Sequence, residues 1–197
     1  MRPLLIRKSP VDSLSLAPGS EFSWPQVGHD LGLSADGHLN IAALAVDRHA
    51  HSARADRTAF RFLGADGNTR NVSYRELAEL TDRFGNALTS LGVVKGDCVF
   101  VLCDRVCALY VAVLGALKVG AVVSPLFQSF GPEPIRYRIA QAAGKVLVTS
   151  SSLYQRRVAS LRAELPSLEH VLLIDDSGAG GIADTLDLAT LLRDAPN

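Results

Sequence analysis

Residues 95–130, KGDCVFVLCDRVCALYVAVLGALKVGAVVSPLFQSF, constrain the fold more than any other stretch. Cys98 to Cys103 is a short apolar run suited to a strand, and a long apolar segment, Val106 to Val119, follows it. Gly120 stops that segment, Ala121 to Ser124 form a second short run, and a loop containing Pro125 comes next. Strand, helix and strand in that order predict one parallel βαβ unit. Such units cross over right-handed, and ligands gather outside the carboxyl ends of their strands. A site is therefore expected at Cys103–Arg105 and at Ser124–Phe130.

The flanking sequence extends this pattern. Residues 1–38 are punctuated by Pro10, Pro18, Gly19, Pro25, Gly28, Gly32 and Gly37 and read as an irregular extension. Phe22, Trp24, Val27 and Leu31 are expected to pack it onto a larger body. Asn40 is placed to cap a helix running to about Ser52, with Ile41, Leu44, Ala45 and Arg48 as helical neighbours. Thr58–Leu63 and Asn71–Val72 flank an Asp66-Gly67 turn and predict a hairpin. Ser73-Tyr74-Arg75-Glu76 is a capping box, and the helix it opens carries one apolar stripe at 74, 77, 78, 81, 84, 88 and 91. Gly92 closes it. Beyond the central unit, a helix runs from Pro132 or Glu133 to near Ala143-Gly144. Lys145–Thr149 is a strand, Ser150–Ser152 cap a helix reaching Leu165, and His170–Ile174 is a further strand. Roughly five strands alternate with helices, so the class is α/β, with parallel-sheet βαβ units flanked by helices. Asp175–Asp184 is acidic and Gly-rich and reads as a linker, before a short helix near 185–193. Three parts result: the extension (1–38), an α/β body (39–174), and the linker with its terminal helix (175–197).

Composition removes whole classes of function. Lys plus Arg equals Asp plus Glu at 20 each, with no basic run, which argues against nucleic acid as a partner. The longest uninterrupted apolar run, Val106 to Leu117, has 12 residues, too short for a bilayer. The opening MRPLLIRKSP is too short an apolar run for a secretory signal. Three cysteines, an odd number, argue against a disulfide framework. A soluble cytoplasmic setting without membrane contact is the expectation.

Motifs that carry chemistry are sparse. Cys103 and Cys107 lack a second pair and a neighbouring His, and small buried hydrophobes are their commoner use. His49 and His51 are two apart and point to different faces of a helix. GxxxxGK[ST], GxGxxG, HExxH and GxSxG are all absent. Gly178–Gly181 is flanked by carboxylates that would repel phosphate. No metal site is expected. Phe127 and Phe130, at the carboxyl end of a strand, serve either base stacking or core packing, and the residues alone favour packing.

The span from Asn40 to Thr149 resembles the N-terminal part of AMP-forming acyl-CoA synthetases, the adenylate-forming superfamily, and within it the acetate–CoA ligase branch. The matching pieces are Phe22-Ser23-Trp24, Asn40-Ile41-Ala42, Ala45-Val46-Asp47-Arg48-His49, Val72 to Leu77 and Lys95-Gly96-Asp97. Leu114 to Ala121, Pro125-Leu126-Phe127, Phe130-Gly131-Pro132-Glu133 with Arg138, and Lys145 to Thr149 continue the series. Order and spacing over more than half of the chain carry the likeness. It implies an α/β large domain and a two-step ligation. Acetate and ATP, with Mg2+, give acetyl-AMP and pyrophosphate, and CoA then displaces AMP. It implies that Phe127 lies against the CoA adenine, with Gln128 and Ser129, where relatives often have glycines, shaping the same pocket. It assigns the 3′-phosphate region to Arg156, with Arg157 close behind, since a guanidinium offers phosphate a fork of donors.

The resemblance also implies what these residues lack: the Ser/Thr/Gly-rich ATP phosphate loop, the later Thr-Glu magnesium motif, the hinge residue, the acyl pocket and the C-terminal catalytic lysine. The expectation is an N-terminal segment that has no catalytic residue of its own, is inactive alone, and has the rest of the enzyme as its partner. The alternative is a stand-alone, non-catalytic module that binds CoA, a nucleotide or a partner protein.

Overall fold

The computed structural model describes residues 22–31, 39–64, 67–174 and 181–196. The chain divides into two compact units, Met1–Leu39 and Asn40–Asn197. In the first, helix α1 spans Trp24–Leu31, where an irregular segment was expected. The signal was present: Ser23 Oγ accepts from the Gln26 N–H, and Pro25 sits in the first turn, where its missing N–H costs nothing. No residue of α1 is buried, and the Phe22 and Trp24 rings meet edge-to-face at 4.8 Å.

The second unit opens on Asn40. Its Oδ1 accepts from the N–H groups of Ala42 and Ala43, and its Nδ2 donates to the carbonyl of Lys118 at 2.9 Å. One side chain thus satisfies orphan groups at two helix ends. The helix it opens is not uniform. A π turn, Ala43–Asp47, leads into α2, Arg48–Ala50. The widened turn shifts the face: Ala42 and Val46 are buried, whereas Ile41 is exposed. The expected helical neighbours Ile41, Leu44, Ala45 and Arg48 lie in this helical segment, and none of them is buried.

Strands β1 (Thr58–Leu63) and β2 (Thr69–Ser73) form the antiparallel hairpin. Gly67 has φ +80°, and the Gly64 N–H donates to Asn68 O to close the turn; Ala65 and Asp66 lie outside the described residues. Ser73 then accepts from the Glu76 N–H and caps α3 (Tyr74–Ser90). The Glu76 carboxylate is engaged by Arg70, at 3.0 Å, so this ion pair takes the place of the reciprocal half of the capping box. The stripe of α3 is buried at Leu77, Ala78, Thr81, Phe84 and Leu88. Gly92, at φ +77°, ends the helix in a Schellman arrangement, with Val93 N–H donating to Leu88 O and Gly92 N–H to Thr89 O.

A five-stranded parallel sheet forms the body. Its strands are β3 (Cys98–Leu102), β4 (Val122–Pro125), β5 (Val146–Thr149), β6 (His170–Leu173) and β7 (Leu186–Asp187), in the order β4-β3-β5-β6-β7. Helices α4 (Cys107–Lys118), α5 (Pro132–Gln141), α6 (Ser151–Arg157) and α7 (Leu188–Asp194), with a 3-10 turn at Ala159–Glu164, complete it. After β4 the chain crosses back over β3, so the direction of winding reverses. Right-handed crossovers then put α4 on one face and α5 and α6 on the other.

The cores obey that arithmetic. Val99, Val101, Val146, Val148 and Leu172 face Leu77, Phe84, Val111, Ala116 and Leu188. The alternate residues Cys98, Phe100, Leu102, Leu147, Val171 and Leu173 face Ile135, Ile139, Leu153, Tyr154 and Leu165. A sheet covered on both sides needs continuous apolar strands, which is why β3 and β5 are buried at every position. Lys118, at the end of α4, reaches Asp47 and Asp82 at 2.6 Å each and ties α3 and the π turn to α4. The sequence reading misses β7: two residues within an acidic region carry no periodicity, yet they pair with Leu172 and Leu173. Among the described residues, no helix is long and apolar enough to cross a membrane.

Candidate functional site

The strand order places the reversal of winding between β3 and β5. In doubly wound sheets the ligand crevice opens at that point, outside the carboxyl ends of the strands. Three loops meet this edge: Cys103–Val106 after β3, Leu126–Gly131 after β4, and the start of α6 after β5.

The loop after β4 is built residue by residue. Leu126 N–H donates to Val101 O at 2.8 Å, extending the β3–β4 pairing by one residue, and its side chain is buried. Phe127 is next in line and is turned outward, 72% exposed. The Phe130 N–H donates to Phe127 O at 3.0 Å, so Phe127, Gln128, Ser129 and Phe130 make one tight turn. The two rings lie 5.8 Å apart. The guanidinium of Arg138 stands 4.4 Å over the Phe130 ring, a cation–π contact that holds this half-buried aromatic. Gly131 then leads into Pro132, whose fixed φ suits the first position of α5. The Gln128 Nε2 donates to Asp104 Oδ1 at 2.7 Å, joining this loop to the one after β3.

The preference for core packing at Phe127, drawn from the residues alone, is thus corrected: the ring faces solvent. A buried Leu126 and an extended backbone force the next side chain to the opposite side. Phe127, Gln128 and Ser129 are brought together in the turn. Arg156 stands on another element, exposed on the last turn of α6, with its Nε donating to Ser152 O at 3.1 Å, and Arg157 beside it is half-buried. Asp104 escaped the sequence reading as a partner of this loop, because a contact across 24 residues leaves no local signal.

The cysteines occupy different chemistry. Burial pushes the Cys103 thiol up to about 12, with the Asp104 carboxylate adding to it, and burial also raises Cys98 and Cys107. Burial that raises a thiol's pKa lowers its thiolate fraction, which makes these cysteines weaker nucleophiles than exposed thiols. Stability inherits this shift. From pH 9, the ordinary value, up to about 12, an unfolded chain releases the Cys103 proton and the folded one keeps it. The unfolded state then binds fewer protons, and stability falls as pH rises, while below pH 9 the contribution is intact. Urea midpoints measured across about pH 9–10 are expected to decline with pH, and less steeply in Cys103→Ala.

An open cleft of about 700 Å³ lies at the amino ends of β6 and β7, lined by Arg162, Glu169, His170, Asp184 and Thr185 among others. It sits at the strand ends opposite to those where a parallel sheet collects its ligands. The turn at Phe127 is therefore the better candidate.

Known proteins resemble this chain over most of its length. The family profile described as AMP-binding enzyme matches residues 46–190. The acetyl-coenzyme A synthetase of Bacillus subtilis is 34% identical over 161 residues, covering 81% of this chain and 27% of the relative. That of Salmonella typhimurium is 33% identical over 181 residues, covering 86% of this chain and 26% of the relative. A Brucella canis acyl-CoA synthetase superposes with a TM-score of 0.78 at 26% identity, over 89% of this chain and 31% of its own. An anthranilate–CoA ligase solved with anthranoyl-AMP gives 0.71 at 26% identity, over 81% and 29%. The chain spans about a quarter of the length of the curated relatives it matches, 27% and 26% in these two. Its sheet order, its flanking helices and the matched span all agree, and the chain belongs to the AMP-binding enzyme family.

Proposed function

We propose that these residues form the N-terminal part of an AMP-forming acetate–CoA ligase and supply one wall of its CoA site. The observation that carries the reading is Phe127: an aromatic ring, 72% exposed, at the carboxyl end of a parallel strand, in a chain whose relatives are acetyl-coenzyme A synthetases. In the whole enzyme an acetate oxygen attacks the α-phosphorus of ATP, with Mg2+ balancing phosphate charge, and pyrophosphate leaves. The CoA thiolate then attacks the acyl carbon, and AMP leaves. Both bond-making groups belong to the substrates, and in this reading the catalytic residues and metal ligands lie in the rest of the ligase. The contribution of this chain is positional.

Phe127 offers its face to the CoA adenine; stacking of this kind contributes about 1–3 kcal/mol per base. Ser129 and the backbone of the turn shape the same wall. Arg156, exposed and cationic, meets the 3′-phosphate region, with Arg157 beside it. The protein works in the cytoplasm, with the rest of the ligase as its partner. An assay of this chain alone with acetate, ATP, magnesium and CoA tests the division of labour. No acetyl-CoA is expected, and turnover above background would refute it.

A further inference from the structure

An exposed aromatic on a loop must be ordered before it can stack, and that ordering subtracts from affinity. The turn from Phe127 to Phe130 is fastened at its far end by Arg138 over the Phe130 ring. Its middle is fastened by the Gln128 side chain, through a hydrogen bond from Nε2 to Asp104 Oδ1 at 2.7 Å. The acceptor is a carboxylate oxygen, and hydrogen bonds to carboxylates belong to the stronger, charge-assisted class. The other end of the bond lies two residues beyond the end of β3. Asp104 follows β3, which is buried throughout and hydrogen-bonded to strands on both sides.

We infer that Gln128 and Asp104 form a strut that sets the turn and holds Phe127 in its stacking position, which makes Gln128 a positioning residue and not a ligand contact. This rests on the reading of the turn as a CoA wall. The amide of Gln128 is committed to Asp104, and the bond offsets the Asp104 charge that would otherwise stand free beside a phosphate-bearing ligand.

A polarity swap tests it. In Gln128→Glu two carboxylates meet at the strut; adding Asp104→Asn restores a donor–acceptor pair with the direction reversed. Amide hydrogen exchange at residues 128–131 reads the strut without any ligand, and calorimetry with CoA reads the site. Gln128→Glu is expected to speed exchange in the turn about tenfold, and to weaken CoA by a similar factor, because a hydrogen bond to a charged group is lost. The double variant is expected to return exchange to within about threefold of wild type. Unchanged exchange in Gln128→Glu, or no recovery in the double variant, overturns the strut. Recovery of exchange in a protein that takes up no CoA even as wild type upholds the strut and refutes the CoA reading instead.

Discussion

Gly115→Val is expected to destabilise the protein by about 3 kcal/mol, the upper end of overpacking penalties. Gly115 lies inside α4, where a glycine is intrinsically unfavourable by about 1 kcal/mol relative to alanine, so something must require it. A Cβ there would lie 2.8 Å from the Phe84 ring, 2.8 Å from the Thr81 carbonyl oxygen and 2.9 Å from the Phe84 Cβ. One of these atoms is backbone, and Phe84 is completely buried. Neither can yield locally, so α3 and α4 must separate, and that opens the core against β3. Gly85 provides the contrast. Its Cβ would meet only the end of the Val119 side chain, at 3.2 Å, and the Gly115 carbonyl oxygen, at 3.4 Å. There the gain in helix propensity offsets a small adjustment, and Gly85→Ala is expected to be neutral or mildly stabilising. Thermal melts of the two variants check both signs: a fall of about 6–12 °C for Gly115→Val and little change for Gly85→Ala.

Gly144→Ala is expected to cost about 2–3 kcal/mol, and its neighbour explains why. Helix α5 ends in a Schellman arrangement, with Gly144 N–H donating to Ile139 O and Ala143 N–H to Ala140 O. The left-handed position falls on Ala143, at φ +45°, and the glycine stands one residue later. Gly144 is required for space: a Cβ would lie 2.6 Å from two atoms of the Phe100 ring and 3.1 Å from Ile139 Cγ2. Phe100 is 1% exposed in the central strand and cannot retreat. Ala143→Gly should move the other way. It relieves a left-handed alanine, which costs about 1–2 kcal/mol, and gives back part of that in unfolded-chain entropy. Urea titration is expected to give a large drop in midpoint for Gly144→Ala and a small rise for Ala143→Gly.

These glycines show where a sequence reading reaches its end. The strand–helix–strand unit at 95–130 was legible because the apolar runs have the lengths of buried elements. The stripe of α3 and its Gly92 stop were legible because both are local. The end of α5 near Ala143-Gly144 was also placed, but which residue bends and which makes room depends on Phe100, some forty positions earlier. The π turn at Ala43–Asp47 changes the period within one helix, and the buried pair Ala42 and Val46 was not among the helical neighbours named from the sequence. Strand β7 draws its stability from pairing with β6 and leaves no pattern of its own. At the site, the position of the loop followed from the rule for parallel sheets, while the outward turn of Phe127 and the bond between Gln128 and Asp104 follow from tertiary structure alone.

If the turn after β4 is the proposed CoA wall, its working surface is the Phe127 ring. Calorimetric titration of CoA into this chain and into its Phe127→Ala variant tests it most directly. The ring is exposed and supports no core, so both proteins should melt together. Heat of binding is expected for the wild-type chain, with affinity at least about tenfold weaker in Phe127→Ala, the loss of one stacked base. Absence of binding to the wild-type chain, or equal affinity in the two proteins, would contradict it.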